Sequence, residues 1–427
     1  MKQARPIVYS HVARERSFLD GNISTGGGEI EAFQAEKEKL IASGSGFIEV
    51  NLKDMKISLY EKGEVKEEYP VKAKGKEGSW WETTTGIYSV GAKTVNHFSS
   101  ISRVWMPYGI QFYGNFFIHG WPYDSNGTPL QSTSSGGCIR LGTADAEKVF
   151  AFAVRGMPVL VFDEKPKRAL YEALRPKGGI AAMPEVSADA AIVADLDTGE
   201  ILLGKDIDRT LPIGALTKSM TALTASEVVN LERVITAQSF MLARKESDNL
   251  LSPGEQYRGF DLLYPLLMQS SNDAALVMGG FLGESGTVSQ MNGKAKALGM
   301  SNTVFADLTG ESGKNISTLR DLSRLAQYIL DKRSFIFGVS IGTKYPEQEN
   351  TAFKSIANYN PFVEDSRLLG VIGGRTDAVG FTVLTVWRFA KEGSSAPRNV
   401  LIGILGSKNA NGDIMAIRSW FEREFGV

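Results

Sequence analysis

The stretch "DEKPKRALYEALRPKGGIAAMPEVSAD" (residues 163–189) divides the chain into two parts of different texture. Pro, Lys and Gly accumulate there, the composition of a linker. Ahead of it the sequence is strand-like. "GFIEVNLKDMKISLYEKGEVKEEYPVKAK" alternates around Glu61-Lys62-Gly63, a hairpin signal, and "TTTGIYSVGAK", "GIQFYGNFFIHG" and "MPVLVF" continue the pattern. "TADAEKVFAFAVRG" is the one good helix of this part, with a Thr cap and a Gly stop. Behind the linker, "AAIVADLDTGEILLGKD" reads as a hairpin over an Asp-Thr-Gly turn. Helical segments follow in "ALTKSMTALTASEVVN", "GFDLLYPLLMQSSNDAALVMGGFLG", "VSQMNGKAKALG" and "TLRDLSRLAQYILD". Strands return in "GFTVLTVWRFA" and "NVLIGILGS", and "DIMAIRSWFERE" closes the chain as a helix. Strands on both sides of a helical middle predict one α/β unit. The resulting division is a tail over 1–45, a β-rich domain over 46–166, a linker over 167–185 and a second domain over 186–427. The tail carries one short helix, "EIEAFQAEKEKLIAS", polar enough to read as solvated.

Composition narrows the function classes. The 427 residues are 43% apolar, enough for two or three real cores. A net charge of −1 gives no electrostatic case for nucleic acid. Cys138 is the only cysteine, which excludes an intramolecular disulfide and a Cys-cluster metal site. His11, His97 and His119 are too widely spaced to suggest zinc, so neither a metal nor another cofactor is expected. No apolar run approaches the ~18 residues of a membrane span. The opening "MKQARPIVYSHVARERSFLDG" has basic residues but no apolar core, so it does not read as a complete signal peptide.

The lone thiol sits in "QSTSSGGCIRL", after small and flexible residues and not among core positions. A thiol attacks as thiolate, which needs a nearby base or positive dipole. His119 ends the apolar run "GNFFIHG" at a strand end, and the loop back to Cys138 is long enough to bring both into one cleft. Gly136 and Gly137 would let amides approach an oxyanion. On these residues alone, a nucleophile with its base and a buried structural thiol stand about even.

The histidine, spacer and "SSGGCIRLGTADAEKVFAFAVRGMPVLV" closely resemble the catalytic core of the peptidoglycan L,D-transpeptidases, over about residues 46–163. The resemblance implies a β-rich sandwich with Cys138 as nucleophile, His119 as base and the carbonyl of Gly120 orienting the imidazole. Amides of Gly137 and Cys138 would form the oxyanion hole, and Arg140, Ser135 and Gly136 would shape the substrate site. Many members have a histidine where this chain has Gly136. The implied reaction is acyl transfer: Cys138 displaces the terminal D-alanine of a stem tetrapeptide, and a second stem's amine resolves the thioester into a 3→3 crosslink. The alternatives are an L,D-carboxypeptidase, with water as acceptor, and a non-catalytic wall-binding protein.

Residues 186–427 resemble the serine D-alanyl-D-alanine carboxypeptidases among the penicillin-binding proteins, an α/β fold of the serine β-lactamase and DD-peptidase type. The match runs through "AAIVADLDTGEILLGKDIDRTLPIGALTKSMTAL", "LLSPGEQYRGFDLLYPLLMQSSNDAA" and "GMSNTVFADLTG". That family uses Ser-x-x-Lys, Ser-x-Asn and Lys-Thr-Gly. Here Ala215 stands where the nucleophile belongs, although Lys218 is kept. Ser270 and Asn272 preserve the second element, and Ile372-Gly373-Gly374 replaces the third, with Arg375 beside it. Two independent losses point to a natural pseudoenzyme and not an engineered trap. Its expected role is stem-peptide recognition or scaffolding. Peptidoglycan stem peptides are the expected partners, with cell-wall, divisome or elongation proteins left open. The implied location is extracytoplasmic, in the periplasm or cell wall.

Overall fold

The hairpin expected at Glu61-Lys62-Gly63 forms between strands β2 (Lys56–Glu61) and β3 (Glu64–Pro70), with Lys62 and Gly63 both at positive φ. That geometry matches the twist of the paired strands. The computed structural model describes residues 28–132, 134–163, 174, 176, 182–242, 250–345, 353, 355–390 and 397–427. Most of the expected linker lies outside these residues.

Helix α1 (Gly28–Ala42) precedes β1 (Phe47–Asn51). It is not the solvated element expected of the tail. Phe33 and Leu40 are buried, Phe33 packs 4.5 Å from the Phe162 ring, and Lys37 pairs with Glu49 at 2.7 Å. The sheet face bearing Phe47, Tyr60 and Leu160 needs a cover, and α1 supplies it. After β4 (Gly86–Ser89) come β5 (Lys93–Ser99), β6 (Val104–Tyr113), β7 (Phe116–His119), β8 (Ile139–Arg140), α2 (Thr143–Phe152) and β9 (Pro158–Phe162). One sheet runs β3-β2-β1-β9-β4 and the other β5-β6-β7-β8, with β7 and β8 parallel. The Thr cap expected for α2 is not one: Gly142 is the N-cap, and Thr143 Oγ1 accepts from the Trp121 amide at 3.3 Å. The helix also stops at Ala153, before the expected glycine, because the chain turns extended there.

The second domain begins with the expected hairpin β10 (Ala190–Asp195) and β11 (Ile201–Lys205), followed by β12 (Leu211–Pro212) and α3 (Thr217–Val228). A short ladder of β13 (Val234–Thr236) and β14 (Gln256–Arg258) leads into α4 (Leu263–Met268), α5 (Asn272–Gly279) and α6 (Glu284–Ala297). Then come β15 (Ile316–Ser317), α7 (Leu319–Lys332), α8 (Phe335–Ser340), β16 (Leu368–Thr376), β17 (Gly380–Phe389), β18 (Arg398–Ser407) and α9 (Ala410–Phe425). The central sheet is antiparallel in the order β11-β10-β18-β17-β16. Helix α3 is buried along its whole length, so the helical layer is built around it.

The two domains share a continuous apolar core. Ionic groups are sealed in the seam between them. Glu227 of α3 pairs with Lys294 at 2.9 Å and Arg333 at 3.1 Å, all three fully buried. Lys294 reaches across to the first domain and donates to Thr84 Oγ1 at 2.7 Å and Tyr88 at 3.1 Å. Next to it, Lys332 holds Glu82 at 2.7 Å and Asp163 at 2.6 Å, both first-domain carboxylates. Desolvation pulls the Glu227 carboxyl upward, but Lys294 and Arg333 outweigh it and hold the group below its ordinary value.

Replacing Glu227 with Gln leaves two buried cations uncompensated, and unfolding stability should fall by about 3–5 kcal/mol. Because the folded-state value is lowered, the contribution of Glu227 is complete above the ordinary carboxylate value of 4.5. It is lost as pH falls through the lowered value. Urea unfolding of wild type and E227Q between pH 3 and 7 checks both; equal stabilities at neutral pH would refute the role assigned to the cluster.

Candidate active site

Strand β7 ends in His119 because its last backbone groups are already engaged. Leu141 N–H donates to His119 O at 2.9 Å, and Gly120 N–H donates to Pro107 O at 2.8 Å. Position 120 is tightly enclosed: a Cβ there would lie 3.1 Å from Pro107 Cγ and Thr143 Cα. The Gly120 carbonyl then faces its neighbour's ring, and His119 Nδ1 lies 2.6 Å from it. Nδ1 is therefore assigned as the N–H donor, which leaves Nε2 as the basic nitrogen. This is the orienting contact expected from sequence.

Parallel pairing sets His119 opposite Arg140 and Ile118 opposite Ile139. Cys138, one residue before β8, therefore comes up on the same side as His119, and both line one cleft of about 690 Å³. The thiol's hydrogen bond runs to Asn115 O at 3.7 Å. Burial in the cleft pushes the thiol up to about 11, with the Phe117 amide and the Arg140 charge pulling the other way. Desolvation also drives His119 down to about 4, against the Gly120 hydrogen bond and with help from Arg140. At neutral pH the resting pair is thus thiol and neutral imidazole.

The turn carrying Cys138 is fixed from inside. Gly137 has φ +102, and a Cβ there would meet the Phe116 ring at 2.5 Å, so only glycine fits. Ser135, expected to contact substrate, turns its hydroxyl onto its own loop, where it donates to Cys138 O at 2.5 Å and accepts from Gly137 N–H at 3.2 Å. In this state the Gly137 amide is bonded to Ser135 and does not face the cleft as an unengaged oxyanion donor. Gly136 is exposed with open space around it, so the histidine common at that position would fit. Arg140 is buried, donates to Ser132 O at 3.0 Å and lies over the Trp121 ring; among the described residues its Nε has no partner.

Sequence reasoning missed the cleft's far wall. Trp80, Trp81, Phe116 and Phe117 line it from the first domain, and Ser226, Glu227 and Asn230 line it from the second. The tandem tryptophan in "GSWWETTTG" was the available signal.

The second domain has its own cleft of about 500 Å³. Ala215, Lys218, Ser270, Asn272, Gly373, Gly374 and Arg375 line it together, as expected. A Cβ on Gly374 would lie 3.0 Å from the Ala215 methyl and 3.4 Å from Ser270 Oγ, so the three remain mutually adjacent. Lys218 donates to Thr309 O at 2.9 Å, and Asn272 donates to Glu311, a residue not anticipated. Ile372 departs from expectation: it is 3% exposed and packs in the core instead of lining the cleft, as an apolar side chain should. Arg375 is largely exposed and pairs with Asp377 at 2.9 Å.

Comparison with known proteins identifies both halves. Residues 178–392, half of the chain, match the D-alanyl-D-alanine carboxypeptidase family model, and residues 45–161 match the L,D-transpeptidase catalytic domain model. The chain belongs to the D-alanyl-D-alanine carboxypeptidase family, with an L,D-transpeptidase catalytic domain fused ahead of it. It is 35% identical over 158 residues to a D-alanyl-D-alanine endopeptidase of Pseudomonas aeruginosa, covering 35% of this chain and 50% of that protein. It is 28% identical over 240 residues to D-alanyl-D-alanine carboxypeptidase DacB2 of Mycobacterium tuberculosis, covering 54% of this chain and 79% of the relative. The solved D-alanyl-D-alanine carboxypeptidase of Mycobacterium tuberculosis superposes with a TM-score of 0.50 at 26% identity, covering 58% of this chain and 95% of that one. The penicillin-binding protein homolog Rv2911 of the same organism gives 0.50 at 25% identity, with the same coverage of each chain. Both domains thus come from families that modify peptidoglycan.

Alkylation of Cys138 by iodoacetamide should keep accelerating as pH rises toward about 11, because thiolate forms only as that value is approached. The acid limb of any activity should fall near pH 4, where His119 becomes protonated, and not near 6.5. An alkylation plateau by pH 8 would show that the thiolate is stabilised at rest.

Proposed function

We propose that the first domain is a cysteine acyltransferase acting on peptidoglycan stem tetrapeptides, with Cys138 as nucleophile and His119 as base. The observation that carries this reading is the 2.6 Å contact from His119 Nδ1 to Gly120 O, which leaves Nε2 to serve the thiol in the shared cleft. Cys138 Sγ attacks the carbonyl between the third residue and the terminal D-alanine as its proton passes to His119 Nε2. The same proton is returned to the departing D-alanine nitrogen when the C–N bond breaks, and a thioester remains. An amine from a second stem attacks next, gives up its proton to His119 and releases the thiol, leaving a 3→3 crosslink. The buried cleft suits this neutral pair, since charge appears only as the tetrahedral centre forms. Arg140, whose Nε has no partner among the described residues, would meet a donor-strand carboxylate. The families' substrate supports an extracytoplasmic site of action. Among the described residues, no helix is long and apolar enough to cross a membrane.

In the second domain the serine reaction has no nucleophile, since Ala215 presents a methyl group to its cleft. The open volume and the adjacency of Lys218, Ser270 and Asn272 favour retained recognition of a stem peptide without turnover.

Incubating the chain with disaccharide-tetrapeptide should yield free D-alanine and a crosslinked dimer by mass spectrometry, both abolished in Cys138→Ala. Tripeptide without dimer would make water the acceptor, and unchanged substrate would remove the catalytic reading. Labelled benzylpenicillin should not acylate the second domain. Ala215→Ser alone should not restore acylation, because Ile372-Gly373-Gly374 still replaces the family's Lys-Thr-Gly; stable labelling of either protein would refute the inactive assignment.

A further inference from the structure

The nucleophile turn is held by a chain of contacts that begins in the other domain. Gly137 O, one residue before Cys138, accepts from Thr83 Oγ1 at 2.9 Å, and the Thr83 hydroxyl in turn accepts Gly75 N–H at 2.8 Å. Thr83 is 1% exposed, so neither bond is exchanged with water. The preceding residue, Glu82, is clamped at three points. Lys332 Nζ donates to its carboxylate at 2.7 Å, Gly78 N–H to the other carboxylate oxygen at 2.7 Å, and Arg333 to its backbone carbonyl at 2.9 Å. Lys332 and Arg333 both belong to the second domain, at the C-terminal end of α7, and neither lines the cysteine cleft. Trp81, on the other side of Glu82, presses its carbonyl against Gly137, where a Cβ would lie 3.0 Å away. Holding Glu82 therefore holds both flanking residues against the turn that carries the nucleophile.

We propose that Lys332 and Arg333 of the carboxypeptidase-like domain are positioning residues for the cysteine site, acting through Glu82 and Thr83 on the Gly137–Cys138 turn. The proposal rests on Cys138 being the nucleophile, but not on the identity of its natural substrate. It gives the second domain a task that needs no nucleophile of its own. The Glu82 segment cannot drift without leaving buried charges unpaired, so the orientation of the Cys138 amide, in the same peptide unit as Gly137 O, is set by docking of the two domains. A misdirected amide weakens stabilisation of an oxyanion but does not alter the thiol's reach for an alkylating agent.

That difference supplies the test. In the full chain, Cys138 acylation by p-nitrophenyl acetate reads the oxyanion site, and alkylation by iodoacetamide at the same pH reads only thiol access and ionisation. Thr83→Val and Lys332→Met should each slow acylation at least about tenfold, with alkylation changed by less than about twofold. Lys332→Arg should recover most of the loss. The double variant should lose little more than either single one, as expected for members of one relay. If Lys332→Met fails to fold, Lys332→Gln takes its place, keeping a donor to Glu82 without the charge. An acylation-to-alkylation ratio equal to wild type in both the Thr83 and Lys332 variants would overturn the proposal. Absence of D-alanine release by wild type, with the ratios shifted as expected, would instead overturn the peptidoglycan reading and leave the relay standing.

Discussion

Three cations and three carboxylates buried between the domains constrain everything else in this chain. Lys294, Lys332 and Arg333 meet Glu82, Asp163 and Glu227 with formal charge balanced across the seam. Such a cluster contributes little net stability compared with an apolar seam of equal volume, because desolvation offsets most of the attraction. What it supplies here is registry. A purely apolar interface tolerates sliding, but an ionic seam with hydroxyls at Thr84, Tyr88 and Tyr328 ties its charged groups to specific partners. The cysteine cleft is walled from both sides of that seam, so its shape depends on the same registry.

Local grammar explains which parts were readable beforehand. His119, Gly120, Gly137 and Cys138 lie within one short β-loop-β segment whose turns demand glycine and whose strand end exposes a histidine. Sequence spacing therefore carries their relation. The seam is written differently. Glu82 and Lys332 are 250 positions apart, and Tyr328 and Glu227 are 101 apart. Each such charge in isolation reads as a solvated surface group. Helix α1 reads as solvated for the same reason: Phe33 and Leu40 are few among charged residues, and their burial follows from the sheet face they cover. A hydroxyl beside a helix start suggests a cap, but the position of Trp121 offered it another donor.

The opposed shifts at Cys138 and His119 share one cause, removal from water, and they suit one kind of chemistry. An exposed thiolate–imidazolium pair is reactive toward any electrophile. Here burial favours the neutral form of both groups, so in the proposed reaction proton transfer would accompany attack. Positioning then matters more than resting nucleophilicity. That is consistent with how heavily the turn is braced, by Ser135 within and Thr83 beneath.

Helix α3 joins the two clefts and shows why they could diverge. Its N-terminal end carries Lys218 at the second cleft, and its C-terminal end carries Glu227 at the seam and the cysteine cleft. Its 12 residues span about 18 Å. At the first end, a methyl group in place of a hydroxyl at Ala215 leaves packing intact, and Lys218 finds the Thr309 carbonyl. That end can lose its chemistry with little effect on the fold. At the other end, removing the Glu227 charge would strand Lys294 and Arg333 in a seam closed to water. The helix must therefore persist as a structural member whatever happens to the serine reaction. That requirement ties the second domain to the cleft beside it, whose wall includes Glu227.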